Sequence, residues 1–197
     1  MAPDRNRLPR PRKRFGQHFL RDTATIRRIV ESIRVEDRAP VVEIGPGRGA
    51  LTAPLAEQCN QLHLIEIDRD LSERLAERYA GNAAVTVHRG DALKFDYARL
   101  AQKAGSKLVV VGNLPYNISS PLLFHLLEHR SNIIDMTFML QKEVVDRIVA
   151  PHGSKTYGRL SVMMQAFFDV ELMFSVPKES FDPQPKIESA IIYLKPR

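Results

Sequence analysis

Apolar runs alternate with amphipathic stretches through most of this 197-residue chain. Residues 107–112 read Lys-Leu-Val-Val-Val-Gly, almost wholly apolar and β-branched, which is the pattern of a strand buried on both faces of a parallel sheet. Residues 40–44, 62–66 and 136–140 carry similar runs, and 85–88 a shorter one ending near Asp91. Helical periodicity fills the gaps. Asp22 is placed to cap a helix in which Ile26, Ile29, Val30 and Ile33 recur on one face. Further helices are expected over residues 50–58, 69–79, 121–129, 143–150 and 160–168. Such alternation demands a parallel sheet with helices on both faces. The last two apolar runs, 170–176 and 187–194, flank the proline-containing loop 177–186 and are expected to pair antiparallel at a sheet edge. With no internal repeat or second boundary, the pattern predicts one doubly wound α/β domain.

In such a sheet small molecules bind at the carboxyl ends of the strands. The first strand breaks into Gly45-Pro46-Gly47-Arg48-Gly49, whose Gly45-x-Gly47-x-Gly49 spacing departs from the dinucleotide pattern G-x-G-x-x-G. Glu66 ends the second strand, where a carboxylate suits the two hydroxyls of an adenosine ribose. These two features fit NAD and S-adenosylmethionine alike. Two more favour the methyl donor. Glu43 opens the glycine loop near where a sulfonium or amino group would lie, and Gly90-Asp91-Ala92 offers a carboxylate to an adenine amino group. Any one of these acids has a structural alternative, a surface position for Glu66 or a helix cap for Asp91. Three acids at the ends of three successive strands make the case for S-adenosylmethionine.

The strand at 107–112 runs directly into Asn113-Leu114-Pro115-Tyr116. This turn suits a planar amine attached to an aromatic ring, a poor nucleophile because its lone pair is delocalised. The Asn113 side-chain oxygen and the Leu114 carbonyl can accept its two N–H groups and draw the nitrogen toward tetrahedral geometry. Pro115 restricts Leu114 to extended conformations, and Tyr116 offers a flat face for stacking. Read alone, the turn is equally consistent with an ordinary strand ending, since Asn and Pro both form turns.

Charge adds a second theme. The net charge is +6, and residues 1–14 hold six basic residues against one acid, leaving only about +1 for the remainder. A flexible, basic tail of this kind suits phosphate contact and salt-dependent affinity for nucleic acid. The single cysteine, Cys59, cannot form an internal disulfide and suits a reducing, cytoplasmic setting. No apolar run is long enough for a membrane span.

Longer motifs sharpen the reading. Arg14-Phe15-Gly16-Gln17-His18-Phe19-Leu20, Val42-Glu43-Ile44-Gly45-Pro46-Gly47, Gly112-Asn113-Leu114-Pro115-Tyr116-Asn117-Ile118-Ser119 and Phe138-Met139-Leu140-Gln141-Lys142-Glu143-Val144 occur in that order. Ser154-Lys155-Thr156-Tyr157-Gly158-Arg159-Leu160-Ser161-Val162 and Phe181-Asp182-Pro183-Gln184-Pro185-Lys186-Ile187-Glu188-Ser189-Ala190 follow. Together they make the chain resemble the rRNA adenine N6,N6-dimethyltransferases of the small-subunit type, from Arg12 to about Leu194.

The resemblance implies a Rossmann-like, class I S-adenosylmethionine-dependent methyltransferase domain over 15–197. Its sheet would be seven-stranded and mostly parallel, with an antiparallel edge strand. The implied cofactor contacts are Gln17, His18, Leu20, Glu43, Gly45, Gly47, Glu66, Ile67, Asp91, Ala92 and Asn113. Position 18 is often Asn in that family, so with His the contact is weakened rather than lost. The implied catalytic set is Asn113, Leu114, Pro115, Tyr116 and Phe181, with Tyr116 and Phe181 sandwiching the target adenine. The implied substrate is 16S rRNA in the immature small ribosomal subunit, handled by a monomer without a metal. Arg147, Lys155, Arg159, Lys178 and Lys186 are candidates for RNA contact. Family members normally continue into a small helical domain, so a chain ending at Arg197 is expected to lack it, keep donor binding and engage rRNA less well. The rival readings are the large-subunit enzyme of the macrolide-resistance type, whose turn commonly has Ile at the place of Leu114, and a non-catalytic nucleic-acid-binding relative.

Overall fold

The computed structural model describes residues 18–34 and 39–197. The basic tail and Gln17 therefore lie outside the described residues. Nine strands and seven helices follow in chain order within them: β1 (Phe19–Leu20), α1 (Thr23–Ser32), β2 (Val41–Ile44), α2 (Thr52–Gln58), β3 (Leu62–Glu66), α3 (Arg69–Arg78), β4 (Val85–Arg89), α4 (Tyr97–Ala104), β5 (Leu108–Asn113), α5 (Ser119–Glu128), β6 (Ile133–Gln141), α6 (Lys142–Ile148), α7 (Arg159–Phe167), β7 (Phe168–Val176), β8 (Phe181–Asp182) and β9 (Ser189–Pro196).

Seven strands form one sheet in the order β4-β3-β2-β5-β6-β9-β7, while β1 and β8 pair separately. The first five run parallel, and β9 is antiparallel to both β6 and β7. The expected antiparallel pair is thus present, with β9 slotted between β6 and the edge strand β7. That position explains its apolar sequence: Ser189 through Leu194 are all buried.

Side chains alternate across the sheet and build two cores. Val42, Ile44, Leu108 and Val110 join one cluster, which includes residues of α4, α5 and α7. Val41, Val109 and Val111 join another with residues of α1, α2 and α3. Asp22 caps α1 as the sequence predicts, its carboxylate accepting from the Thr25 N–H at 2.9 Å. The pattern reading missed α4. It is short, yet Asp96 caps its start and Gly105, at φ 68°, ends it in the left-handed region.

The chain order reverses between β2 and β5, which makes their carboxyl ends the switch point of the sheet. The two strands approach closely there. A Cβ at Gly112 would lie 2.5 Å from the Ile44 carbonyl oxygen, so only glycine fits without a shift of backbone.

Candidate active site

A cleft opens above this switch point, enclosing about 960 Å³ with its open mouth included, which is the size class of small-molecule sites. Its floor is the glycine loop after β2. Gly45, Gly47 and Gly49 all take positive φ (65°, 57° and 83°), a conformation that side chains disfavour. Gly47 also lies under Phe19, whose ring carbons would sit 3.2 Å from an added Cβ. The segment His18–Leu20 thereby closes one wall of the cleft.

The three strand-end acids are brought together, each in a different setting. Glu66 is buried, and its two oxygens accept the N–H groups of Gly47 at 3.1 Å and Asp68 at 2.9 Å. Burial raises its pKa, while the backbone donors oppose the rise. These bonds tie the end of β3 to the glycine loop and hold the carboxylate at the cleft wall. Glu43 is more deeply enclosed. Burial pushes its pKa up to about 8, against a hydrogen bond from the Thr52 hydroxyl at 2.6 Å, with the Glu66 charge adding to the rise. Asp91 is half-buried at the rim, where one oxygen accepts from the Leu93 N–H at 2.9 Å and fixes a turn rather than a helix cap. Ile67 projects an exposed side chain beside them, and Ala92 lines the same wall.

The Asn113-Leu114-Pro115-Tyr116 turn forms the opposite wall. Asn113 ends β5, and its side-chain amide donates to the His18 carbonyl at 3.2 Å. Leu114 is buried, its N–H bonded to the Met139 carbonyl at 3.1 Å. The turn's own bond runs from the Ile118 N–H to the Pro115 carbonyl, so the Leu114 carbonyl takes no part in it. Tyr116 is half-buried, and its hydroxyl lies 2.9 Å from the Ser189 hydroxyl. Burial raises its phenol pKa, so the group stays protonated at neutral pH. One ring face stacks on the His18 imidazole at 5.5 Å and 26°, and His18 Nδ1 in turn lies 2.8 Å from the Pro183 carbonyl oxygen.

Phe181 stands apart from this group. It is 2 % exposed, pairs with Leu20 across β1 and β8, and packs in the core that contains Val176 and Ile191. Its ring does not line the cleft, and the ring against Tyr116 here is His18. Among the suggested RNA contacts, Arg147 pairs with Glu143 and Arg159 lies over the Phe124 ring at 5.3 Å. Lys155, Lys178 and Lys186 are exposed. Sequence reasoning missed Thr52 and Ser189 as supporting groups. Ser189 falls inside one of the longer motifs and Thr52 in none, but the role of each arises from a contact that the motif does not specify. Cys59 is buried just past the end of α2, and burial pushes its thiol up to about 11, which suits a packed rather than reactive group. Among the described residues, no group of three or more His, Cys, Asp or Glu side chains is arranged to hold a metal ion, and no helix is long and apolar enough to cross a membrane.

Known proteins match the chain over most of its length. Residues 9–197 match the family described as ribosomal RNA adenine dimethylase. A relative from Leptothrix cholodnii, named Ribosomal RNA small subunit methyltransferase A, is 53% identical over 186 residues, covering 94% of this chain and 68% of its own length. The protein of the same name from Aromatoleum aromaticum is 56% identical over 187 residues, covering 95% and 69%. Among solved structures, a dimethyladenosine transferase from Plasmodium falciparum superposes with a TM-score of 0.81 at 32% identity, covering 91% of this chain and 64% of that one. The 23S rRNA methyltransferase ErmE gives 0.80 at 34%, covering 91% and 70%. The chain spans about two-thirds of the length of these relatives. On the match of nearly its whole length, the chain belongs to the ribosomal RNA adenine dimethylase family.

Proposed function

We propose that the chain transfers methyl groups to N6 of adenine in small-subunit rRNA, at two adjacent adenosines in the 3′-terminal hairpin loop of 16S rRNA. The observation that carries this reading is the Asn113 amide, whose N–H is taken by the His18 carbonyl, leaving Oδ1 to accept from an incoming amine. Relatives above 50% identity are small-subunit enzymes by name, which favours that substrate over the 23S rRNA of the more distant ErmE.

The cleft fits S-adenosylmethionine by its donor set. Glu66, held by two backbone N–H groups, would take the ribose hydroxyls, and Asp91 would use its second oxygen for the adenine amino group. The positive-φ glycine floor admits a ligand close to the backbone. When bound, this cofactor supplies an electrophilic methyl group on a sulfonium. The protein's own part is to position the amine. Asn113 Oδ1 and the Leu114 carbonyl accept its N–H groups and turn the lone pair out of conjugation, and the turn excludes other approaches. Each transfer releases one amine proton to water, so after one methylation a single N–H remains and one acceptor loses its partner in the second round.

The target base must leave its stack, at a cost of a few kcal/mol. Stacking on Tyr116 returns roughly 1–3 kcal/mol, so the two effects are comparable, and a loop adenosine is extracted more readily than a paired one. We assign the chain to immature small subunits, in the cytoplasm, as a monomer. A tritiated methyl-transfer assay tests the reading, comparing immature small subunits, naked 16S rRNA and large-subunit rRNA, with mass mapping of the product. Label on adjacent adenosines of small-subunit rRNA is expected. Label confined to large-subunit rRNA overturns it.

A further inference from the structure

We propose that Ser189 is a positioning residue, setting the ring of Tyr116 for the incoming base. The inference rests on the reading of Tyr116 as the stacking platform for adenine. Tyr116 lies in a turn, outside any strand or helix, so regular backbone structure does not fix its ring. Three contacts do. Its carbonyl accepts from the Ser119 hydroxyl at 3.3 Å, one ring face meets His18, and its hydroxyl lies 2.9 Å from Ser189 Oγ.

Of these, Ser189 is the rigid one. It is fully buried and opens β9, paired with Gln141 of β6 on one side and Val176 of β7 on the other. Its place is therefore set by the sheet and not by the loop. A hydroxyl at that depth needs a partner, and among the described residues its side chain bonds to Tyr116 alone. Packing does not require a hydroxyl here, since the five residues that follow it in β9 are buried Ala, Ile, Ile, Tyr and Leu. Ser189 does not line the cleft, so it acts through Tyr116 and not on the substrate. His18 then completes the arrangement from the facing wall by covering one ring face, while the hydrogen bond fixes the ring's tilt.

Ser189→Ala and Tyr116→Phe remove the same hydrogen bond from opposite ends. Each is expected to lower kcat on small-subunit rRNA about tenfold, the size of one hydrogen bond. Affinity for S-adenosylhomocysteine, read by calorimetry, is expected to stay at the wild-type value. The double variant should be no slower than either single one. Ring order is read separately by fluorine NMR of the 3-fluorotyrosine-labelled chain, the Tyr116 resonance being the one missing from Tyr116→Phe. In Ser189→Ala that resonance should sharpen and move toward its solvent-exposed position. An unchanged resonance overturns the proposal, as does a double variant whose loss multiplies the single losses. If Ser189→Ala does not fold, wild-type kcat in Tyr116→Phe overturns it equally. The NMR measurement needs no RNA, so a wild-type chain that fails to methylate small-subunit rRNA counts against the proposed function, while the resonance still decides the role of Ser189.

Discussion

The side-chain amide of Asn113 donates to the backbone carbonyl of His18 across 95 residues of sequence, at 3.2 Å. This bond orients the amide. With an N–H engaged, Oδ1 is left, on the proposed reading, to accept from an incoming amine, and the His18–Leu20 segment is tied to the turn across the cleft. Asn113→Ala removes the acceptor and the tie to His18 together. Methyl transfer is expected to fall by about a hundredfold or more, as when one preorganised hydrogen-bonding group is removed from an active site. The fold should persist, because Asn113 is only half-buried at the end of β5. Circular dichroism and a methyl-transfer assay check this, and a fully active variant would sink the lone-pair mechanism.

Glu43 gives the free protein an unusual pH response. Its carboxyl is pushed by burial from an ordinary value of 4.5 up to about 8. Below 4.5 the group is protonated in both folded and unfolded chains. Between 4.5 and 8 the unfolded chain ionises while the folded one resists, so stability drains away as pH rises through this window. Glu43→Gln keeps an oxygen to accept from Thr52 and has no charge to bury. Its thermal midpoint relative to wild type is expected to climb from pH 4.5 to 8 and level off above. A constant offset across that range would show that Glu43 is ionised throughout.

Much of this site could be read from the chain because strand ends and glycine turns are local signals. Glu43, Glu66, Asp91 and Asn113 each lie at or near the end of a strand, and topology alone delivers them to one end of the sheet. What the residues did not reveal was made by long-range pairing. The two-residue strands β1 and β8 join Leu20 to Phe181 and carry no periodicity of their own. That pairing buries Phe181, the residue to which the family resemblance gives a place against the target base. The helix α4 is a different case. Asp96 caps it and Gly105 ends it, but eight residues with Tyr97, Leu100 and Ala101 buried make too short an apolar stripe to stand out.

His63, His88 and His129 form a second pH-sensitive feature on the face of the sheet that carries α4 and α5. His63 Nδ1 lies 3.0 Å from His88 Nε2, and the ring contacts continue through Phe95 and Tyr97 to His125 and His129. Burial, then the neighbouring His88, pulls His63 down from 6.5 to about 4, and burial lowers His88 and His129 as well. Above pH 6.5 these rings are neutral in both states. As pH falls from 6.5 toward 4 the unfolded chain takes up protons that the folded chain refuses, and stability is lost. The thermal midpoint should therefore drop over this window, and less steeply in His63→Gln. Parallel curves for the two proteins would rule out His63 as the source.

Gly112 links stability to the site more directly. It precedes Asn113 where β5 passes β2, and an added Cβ would meet the Ile44 carbonyl oxygen at 2.5 Å. The obstacle is backbone in the middle of a sheet, so no side-chain rotation relieves it. Gly112→Ala must push β5 away from β2, at a cost of about 1–3 kcal/mol by the usual scale of overpacking. The same displacement moves Asn113 relative to Gly45, which lies beside the Asn113 carbonyl. Two losses are expected together: a lower urea midpoint, and weaker S-adenosylhomocysteine binding measured where the variant is fully folded. A variant that loses stability but binds with wild-type affinity would mean that the strand yields elsewhere and the cleft does not depend on this contact.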